Sequence, residues 1–117
     1  MGSLIQLPID RVTFVNLWDF EAIDWDPEDD DDGNLAHCMA HGVDERVVGE
    51  VLSNEPVEVT MRLWTCGIAV VGPDSGGTMW TVLFDWSWKR GDWLRPVTGW
   101  QAGPEEVEEW KRGRGRR

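Results

Sequence analysis

The apolar periodicity of the chain changes at Pro56, and this change limits the folds that the sequence can form. Between Asn34 and Pro56 the apolar residues recur at the spacing of an amphipathic helix. Beyond Pro56 the chain instead carries short runs of β-branched and aromatic residues, and turn residues separate these runs. A helical segment followed by several strands predicts an α+β fold.

The helical segment is predicted to be a hairpin of two short helices. The first begins at Asn34 and ends before Gly42, which suits the left-handed conformation of a C-terminal cap. Asp44 can cap the second helix, which the Ser-Asn-Glu-Pro sequence ending at Pro56 terminates. The apolar stripe of this second helix consists of Val47, Val48, Val51 and Leu52.

Strands are predicted on both sides of the hairpin. An N-terminal strand covers residues 11–18, and the later strands cover residues 57–64, 67–71, 78–84 and 93–100. Short connections between the later strands predict a three- to four-stranded antiparallel sheet. Pro104 and the glutamates after it predict a short C-terminal helix that ends at Trp110. We therefore expect one α+β domain over residues 1–110, followed by a basic, disordered tail over residues 111–117.

The charge of the chain is strongly negative, with a formal net charge of −11 from 22 acidic and 11 basic residues. A field of this sign repels nucleic-acid phosphate and attracts basic partners, which argues against a general RNA-binding protein. The run from Asp29 to Asp32 lacks the spacing of a calcium-binding loop, so it predicts a solvated turn that caps a helix. The same run could dock a basic partner.

The sequence predicts a cytoplasmic protein without a metal or cofactor. No apolar stretch approaches the roughly 18 residues of a membrane-spanning helix, and the first residues do not resemble a signal peptide. Cys38 and Cys66 are expected to be buried free thiols, because a disulfide scaffold usually has a denser, even set of cysteines. His37 and His41 are one helical turn apart, but no third ligand for a metal is evident from the sequence.

Several short motifs occur in a fixed order along the chain. They are residues 24–27 (DWDP), Asn34, residues 41–43 (HGV), residues 81–84 (TVLF) and residues 95–100 (RPVTGW). Together they resemble the motifs of the BrnT family of ribonuclease toxins over residues 23–110. The resemblance implies a RelE-like fold, RNA cleavage without a metal, and neutralisation by an antitoxin in a type II toxin–antitoxin pair. The chain departs from the family pattern at Ala40 and Trp100, where the family has basic residues.

The residues predicted to carry such chemistry are His41, Arg62, Lys89, Arg90 and Arg95. His41 could transfer a proton, or it could simply cap the end of its helix. Each of the arginines on strands could clamp phosphate, or it could pair with one of the many carboxylates. Lys89 and Arg90, among several tryptophans, could stack unpaired bases, or they could form an ordinary hairpin turn.

Three functions follow from these alternatives. The first is a BrnT-like toxin, a metal-independent endoribonuclease that cuts RNA and is neutralised by an antitoxin-like protein partner. The second is a catalytically inactive BrnT-like module that binds a protein through its tryptophan-rich, acidic surface. The third is a nucleic-acid mimic whose negative charge occupies a basic protein groove. The sequence does not decide between them, and it does not give the oligomeric state.

Overall fold

A computed structural model describes residues 22–61, 64–89 and 91–115 of the chain. These residues form a five-stranded mixed sheet and three helices, so the predicted α+β class is confirmed. In chain order the elements are β1 (Ala22–Ile23), α1 (Asn34–Ala40), α2 (Glu45–Ser53), β2 (Val57–Met61), β3 (Trp64–Pro73), β4 (Met79–Trp86), β5 (Trp93–Gln101) and α3 (Pro104–Gly115).

The strand order in the sheet is β1-β5-β4-β3-β2. Strands β2 to β5 form the antiparallel meander that the short turns predict. Strand β1 was not predicted and makes the sheet mixed, because it pairs in parallel with β5 through Ala22 opposite Trp93 and Ile23 opposite Leu94. Two residues are too few to show an alternating pattern in a sequence. The strand predicted over residues 11–18 lies outside the described residues.

The helical hairpin follows the prediction except at its start, where Gly33 is the N-cap of α1 and no side chain of the run Asp29 to Asp32 caps the helix. Helix α1 ends where Gly42 adopts a φ of 84°, a left-handed conformation in which a side chain is strained. Asp44 then caps α2, because its side chain accepts a hydrogen bond of 2.9 Å from the backbone N–H of Val47. The turn between the two helices is therefore formed by residues whose local chemistry is readable from the sequence.

The main core lies between the helical hairpin and one face of the sheet. Val47, Val48 and Val51 of α2 are at most 1% exposed, and each contributes about 1.5–2 kcal/mol by leaving water. They belong to a cluster that also contains Cys38, Val43, Ile68, Val70, Val82, Phe84 and Leu94. Side chains alternate along a strand, so the residues between these sheet positions face the opposite side.

Helix α3 lies against that opposite face of the sheet. It is held there by Glu106, whose carboxylate accepts hydrogen bonds from the Thr81 hydroxyl and the Trp100 indole N–H. At its other end the Trp110 indole N–H donates to the carbonyl of Glu55. These contacts join the helix to both ends of the meander.

The predicted end of the last helix at Trp110 is wrong, because α3 continues to Gly115. Residues 111–115, which the sequence assigned to a disordered tail, are helical. Their basic side chains pair with acidic ones: Lys111 with Glu108, Arg112 with Glu109, and Arg114 with Glu55. Basic side chains in the last turn of a helix also interact favourably with the helix dipole.

Cys38 is a buried free thiol, as predicted, and burial raises its pKa to about 11. The side chain of Cys66 lies outside the described residues. None of the helices in the described ranges has the length and apolar character needed to cross a bilayer.

Candidate functional site

The structure places three of the five predicted site residues. Lys89 and Arg95 both lie beside Asp24, whereas His41 lies at the C-terminal end of α1. Arg62 and Arg90 lie outside the described residues. Around Asp24 the chain forms a polar cluster at the β1 edge of the sheet, which we call the Asp–Arg cluster. Its members are Asp24, Asp26, Asn34, Ser87, Lys89 and Arg95.

The register of β1 against β5 creates this cluster. Ile23 lies opposite Leu94, and the N–H of Asp24 donates to the Leu94 carbonyl at 2.7 Å, so Asp24 comes next to Arg95. Asp26 follows two residues later in an extended segment, and this spacing directs both carboxylates to the same side. Both acidic side chains therefore meet the guanidinium of the neighbouring strand.

The guanidinium of Arg95 donates hydrogen bonds to both carboxylates. Nη1 and Nη2 donate to Oδ1 and Oδ2 of Asp26 at 3.0 and 2.6 Å, and Nη1 also lies 3.4 Å from Oδ2 of Asp24. The hydrogen bond from Arg95, and then that from the Asn34 backbone N–H, lower the pKa of Asp26 to about 2. The same pairing with Asp26 raises the pKa of Arg95. Both groups are therefore charged at neutral pH.

Asp24 is the buried centre of the cluster, with only 2% of the residue exposed. Its carboxylate accepts a hydrogen bond of 2.7 Å from the Ser87 hydroxyl, and Nζ of Lys89 lies 3.5 Å from Oδ1. A buried carboxylate requires such compensation, because removal from water is costly unless cations and donors replace the lost hydration. Lys89 and Arg95 supply that compensation.

Asn34 joins the cluster to helix α1 and to β5. Its amide nitrogen donates to the carbonyls of Asp24 and Pro96 at 2.9 and 2.8 Å, and its Oδ1 accepts from the Asp26 N–H at 2.8 Å. Its own N–H donates to Oδ2 of Asp26 at 2.9 Å. A single buried amide thus fixes the segment before α1 against the sheet.

The Asp–Arg cluster commits both terminal nitrogens of Arg95, Nη1 and Nη2, to carboxylates. Of the two roles predicted for this residue, the structure shows the ion pair with carboxylates. Lys89 approaches Asp24 more loosely, because its Nζ lies 3.5 Å from Oδ1 and its side chain is 43% exposed. The sequence did not identify Asp24 and Asp26 as the partners of these cations. Their two-residue spacing after a strand was the available signal, but Arg95 lies about 70 residues further along the chain.

His41 caps the end of α1 through its backbone, whose N–H donates to the Cys38 carbonyl at 3.0 Å. Its side chain is exposed, and its ring centroid lies 5.0 Å from that of His37, with the ring planes tilted by 58°. Its position at the helix end is as predicted. The two imidazoles form a pair at the surface, which we call the histidine pair.

Tryptophans divide into core and surface positions. Trp25, Trp80 and Trp86 pack against the main core, so their indoles are largely structural. Trp88, at the tip of the β4–β5 hairpin, is 80% exposed, and Nζ of Lys89 lies 5.5 Å from its ring centroid. The sequence predicted that tryptophans near Lys89 could stack on bases. Of these, Trp88 is exposed, whereas Trp86 packs against the core.

Charges at the surface are unequally paired. Every Lys and Arg within residues 22–61, 64–89 and 91–115 has a carboxylate oxygen within 4.0 Å. In contrast, residues 28–32 (EDDDD) are exposed, and no cation of the described ranges pairs with them. We call this segment the acidic loop. The described surface therefore offers carboxylates rather than cations to a partner.

No family model, characterised protein or solved structure matches this chain. The resemblance to BrnT toxins therefore rests on the short sequence motifs alone. The structure gives those motifs a local role, because Asp24, Asp26 and Asn34 belong to them and build the Asp–Arg cluster.

Proposed function

We propose that this protein is a non-catalytic binding module that recognises a basic protein partner through its acidic loop. One observation carries the proposal: the described cations are all paired with carboxylates, whereas the acidic loop is exposed and unpaired with them. The loop is the longest run of consecutive exposed charged residues in the described part of the chain. Its charge favours Lys- or Arg-rich segments as partners and repels phosphate.

Hydrogen bonds hold the acidic loop in a defined shape. The N–H of Asp30 donates to the Pro27 carbonyl, and the N–H of Gly33 donates to the Asp30 carbonyl, each at 3.0 Å. Oδ1 of Asp30 also accepts from the N–H of Asp32 at 3.0 Å. A loop that is already ordered loses less conformational entropy when it binds. These bonds therefore support a recognition surface that is formed before the partner arrives.

Trp88 is an exposed apolar residue at the tip of the β4–β5 hairpin, and its side chain is 80% exposed. It follows Ser87, whose hydroxyl donates to Asp24 at 2.7 Å. Exposed indoles are common anchors in protein interfaces because they bury a large apolar area. Trp88 is therefore a second residue that a protein partner could contact.

A ribonuclease toxin that an antitoxin neutralises is the second candidate function. The histidine pair favours it, because two adjacent imidazoles can take a proton from a 2′-hydroxyl and give one to a leaving oxygen. Such a reaction also requires cations that hold the phosphate, and Lys89 and Arg95 are held by carboxylates. This second requirement places the ribonuclease below the binding module.

An RNA assay separates the two candidates. The wild type, His37→Ala, His41→Ala and the exposed control Met39→Ala are each incubated with a labelled single-stranded RNA in EDTA. We expect the RNA to stay intact with all of these proteins. If the wild type and Met39→Ala cut the RNA while both histidine variants do not, the protein is a ribonuclease and our proposal is wrong.

A binding assay tests the acidic loop directly. A fluorescein-labelled octapeptide of lysine serves as the basic probe, titrated at low salt. We expect Asp29→Asn/Asp31→Asn to weaken binding by about threefold or more, because exposed ion pairs contribute modestly. The control Glu45→Gln/Glu105→Gln removes the same charge from two exposed sites elsewhere. Equal weakening in both double variants would show that only net charge matters and that the loop is not the binding surface.

A further inference from the structure

The histidine pair stands at a rigid part of the fold. Cys38, between the two histidines, is fully buried, and its carbonyl accepts from the N–H groups of His41 and Val43 at 3.0 and 2.9 Å. The left-handed Gly42 then ends the helix. The backbone therefore fixes the positions from which the His37 and His41 side chains extend, and both side chains are exposed.

The separation of the two rings suits a shared metal ion. A bond between a metal and an imidazole nitrogen is about 2.0–2.1 Å long, which puts the ring centroid about 3.2 Å from the metal. For ligand angles of about 90–110°, which cover octahedral, square-planar and tetrahedral sites, two such centroids are about 4.5–5.2 Å apart. The observed 5.0 Å falls inside this interval. The separation of the ring centroids is thus compatible with one ion shared by the two imidazoles.

We propose that His37 and His41 together bind one divalent ion of the late first transition series. Imidazole suits Cu²⁺, Ni²⁺ and Zn²⁺ but not the hard ions Mg²⁺ and Ca²⁺, and Cu²⁺ binds most tightly in this series. The negative charge of the protein also concentrates cations near its surface.

The protein contributes two ligands to this site from the described part of the chain. No group of three or more His, Cys, Asp or Glu with metal-binding geometry occurs in residues 22–61, 64–89 and 91–115. The thiol of Cys38 does not join the site, because it is fully buried in the core, whereas both histidines are exposed. Among the described residues the site thus has two protein ligands, and its other positions are open to water.

Calorimetric titration of the purified protein with Ni²⁺ tests the proposal. We expect one ion per chain for the wild type. His37→Gln and His41→Asn should each weaken binding by about 10- to 100-fold, because the second ligand no longer acts within the same molecule. Both changes are at exposed positions, so the variants should keep the wild-type thermal unfolding midpoint. Unchanged affinity in either variant would overturn the proposal.

A rearranged pair provides the matched control. His37→Ala/Met39→His keeps two exposed histidines but places them two residues apart, where helix geometry directs them to different faces. We expect this variant to bind Ni²⁺ as weakly as the single-histidine variants. With Cu²⁺, electron paramagnetic resonance should report two nitrogen ligands in the wild type and one in the single variants. Wild-type affinity in the rearranged variant would contradict a shared site.

Discussion

Arg95 joins two carboxylates that precede it by about 70 residues, and its removal should show how much the Asp–Arg cluster stabilises the fold. Arg95→Ala leaves the buried Asp24 with Lys89 as its remaining cation. We expect the free energy of unfolding to fall by about 2–3 kcal/mol, below the full effect of a buried pair because the Arg95 side chain is 23% exposed. Urea unfolding monitored by tryptophan fluorescence measures this loss.

Arg46 provides the control for that measurement. It also pairs with a carboxylate, Glu50, one turn away on α2, but its side chain is 59% exposed. Arg46→Ala should change the unfolding midpoint little, because exposed ion pairs contribute little to stability. If Arg95→Ala and Arg46→Ala lower the free energy of unfolding equally, burial of the Asp–Arg cluster does not contribute to stability.

Asp26 makes the stability of the protein depend on pH in a defined range. Its pKa falls from the ordinary 3.8 to about 2 in the folded chain. A depressed pKa means that the folded state favours the charged form, so the stabilisation is complete above about pH 4 and disappears as the pH falls towards 2. We expect the difference in unfolding free energy between the wild type and Asp26→Asn to shrink over this range. Urea unfolding at several pH values from 5 to 2 checks it, and a constant difference would contradict the assignment.

At the scale of elements, two glycines of the helical hairpin should respond in opposite ways to the same change. Gly42 has a φ of 84°, so Gly42→Ala should destabilise the protein by about 1–2 kcal/mol. Gly49 lies inside α2, and a Cβ atom there would meet nothing within 4 Å. Gly49→Ala should therefore stabilise the protein by about 0.5–1 kcal/mol. The thermal unfolding midpoint should fall for Gly42→Ala and rise for Gly49→Ala. Shifts of both midpoints in the same direction would contradict the hairpin geometry.

The elements that the sequence predicts well are those with local signals. Gly42 and Asp44 mark the helix ends by their own backbone and capping chemistry, and the turns of the meander do the same. Strand β1 has no such signal, because it consists of two residues and exists through its pairing with β5. The extension of α3 to Gly115 has both local and distant support, because Lys111 and Arg112 pair within the helix and Arg114 pairs with distant Glu55. Tertiary pairing therefore decides β1 and contributes to the end of α3, and local patterns do not show it.

The candidate site was harder to predict than the elements. The sequence identified Arg95 and Lys89 as notable cations, and it offered ion pairing as one of their roles. It could not show that one buried carboxylate, Asp24, attracts both of them, because neither burial nor long-range register is visible in a local pattern. The histidine pair was visible as a helical spacing, whereas the separation of its rings required coordinates.

At the scale of the whole molecule, the net charge of −11 should make thermal stability sensitive to salt. Repulsion among the many exposed carboxylates opposes the compact state, and salt screens exposed charges more than the partly buried Asp–Arg cluster. We expect the thermal unfolding midpoint to rise as NaCl is increased from low to physiological concentration. The midpoint of the variant Asp29→Asn/Asp31→Asn should rise less with NaCl, because the substitutions already remove part of the repulsion. A midpoint that falls with NaCl would show that ion pairs outweigh the repulsion.

The parallel pairing of β1 with β5 also sets an order of events during translation. Asp24, Asp26 and Asn34 leave the ribosome long before Arg95 is synthesised, so Asp24 has neither Arg95 nor Ser87 beside it for most of that time. The segment from β1 to α1 therefore cannot reach its final state before β5 has emerged. Completion of this sheet edge is thus one of the later steps of folding.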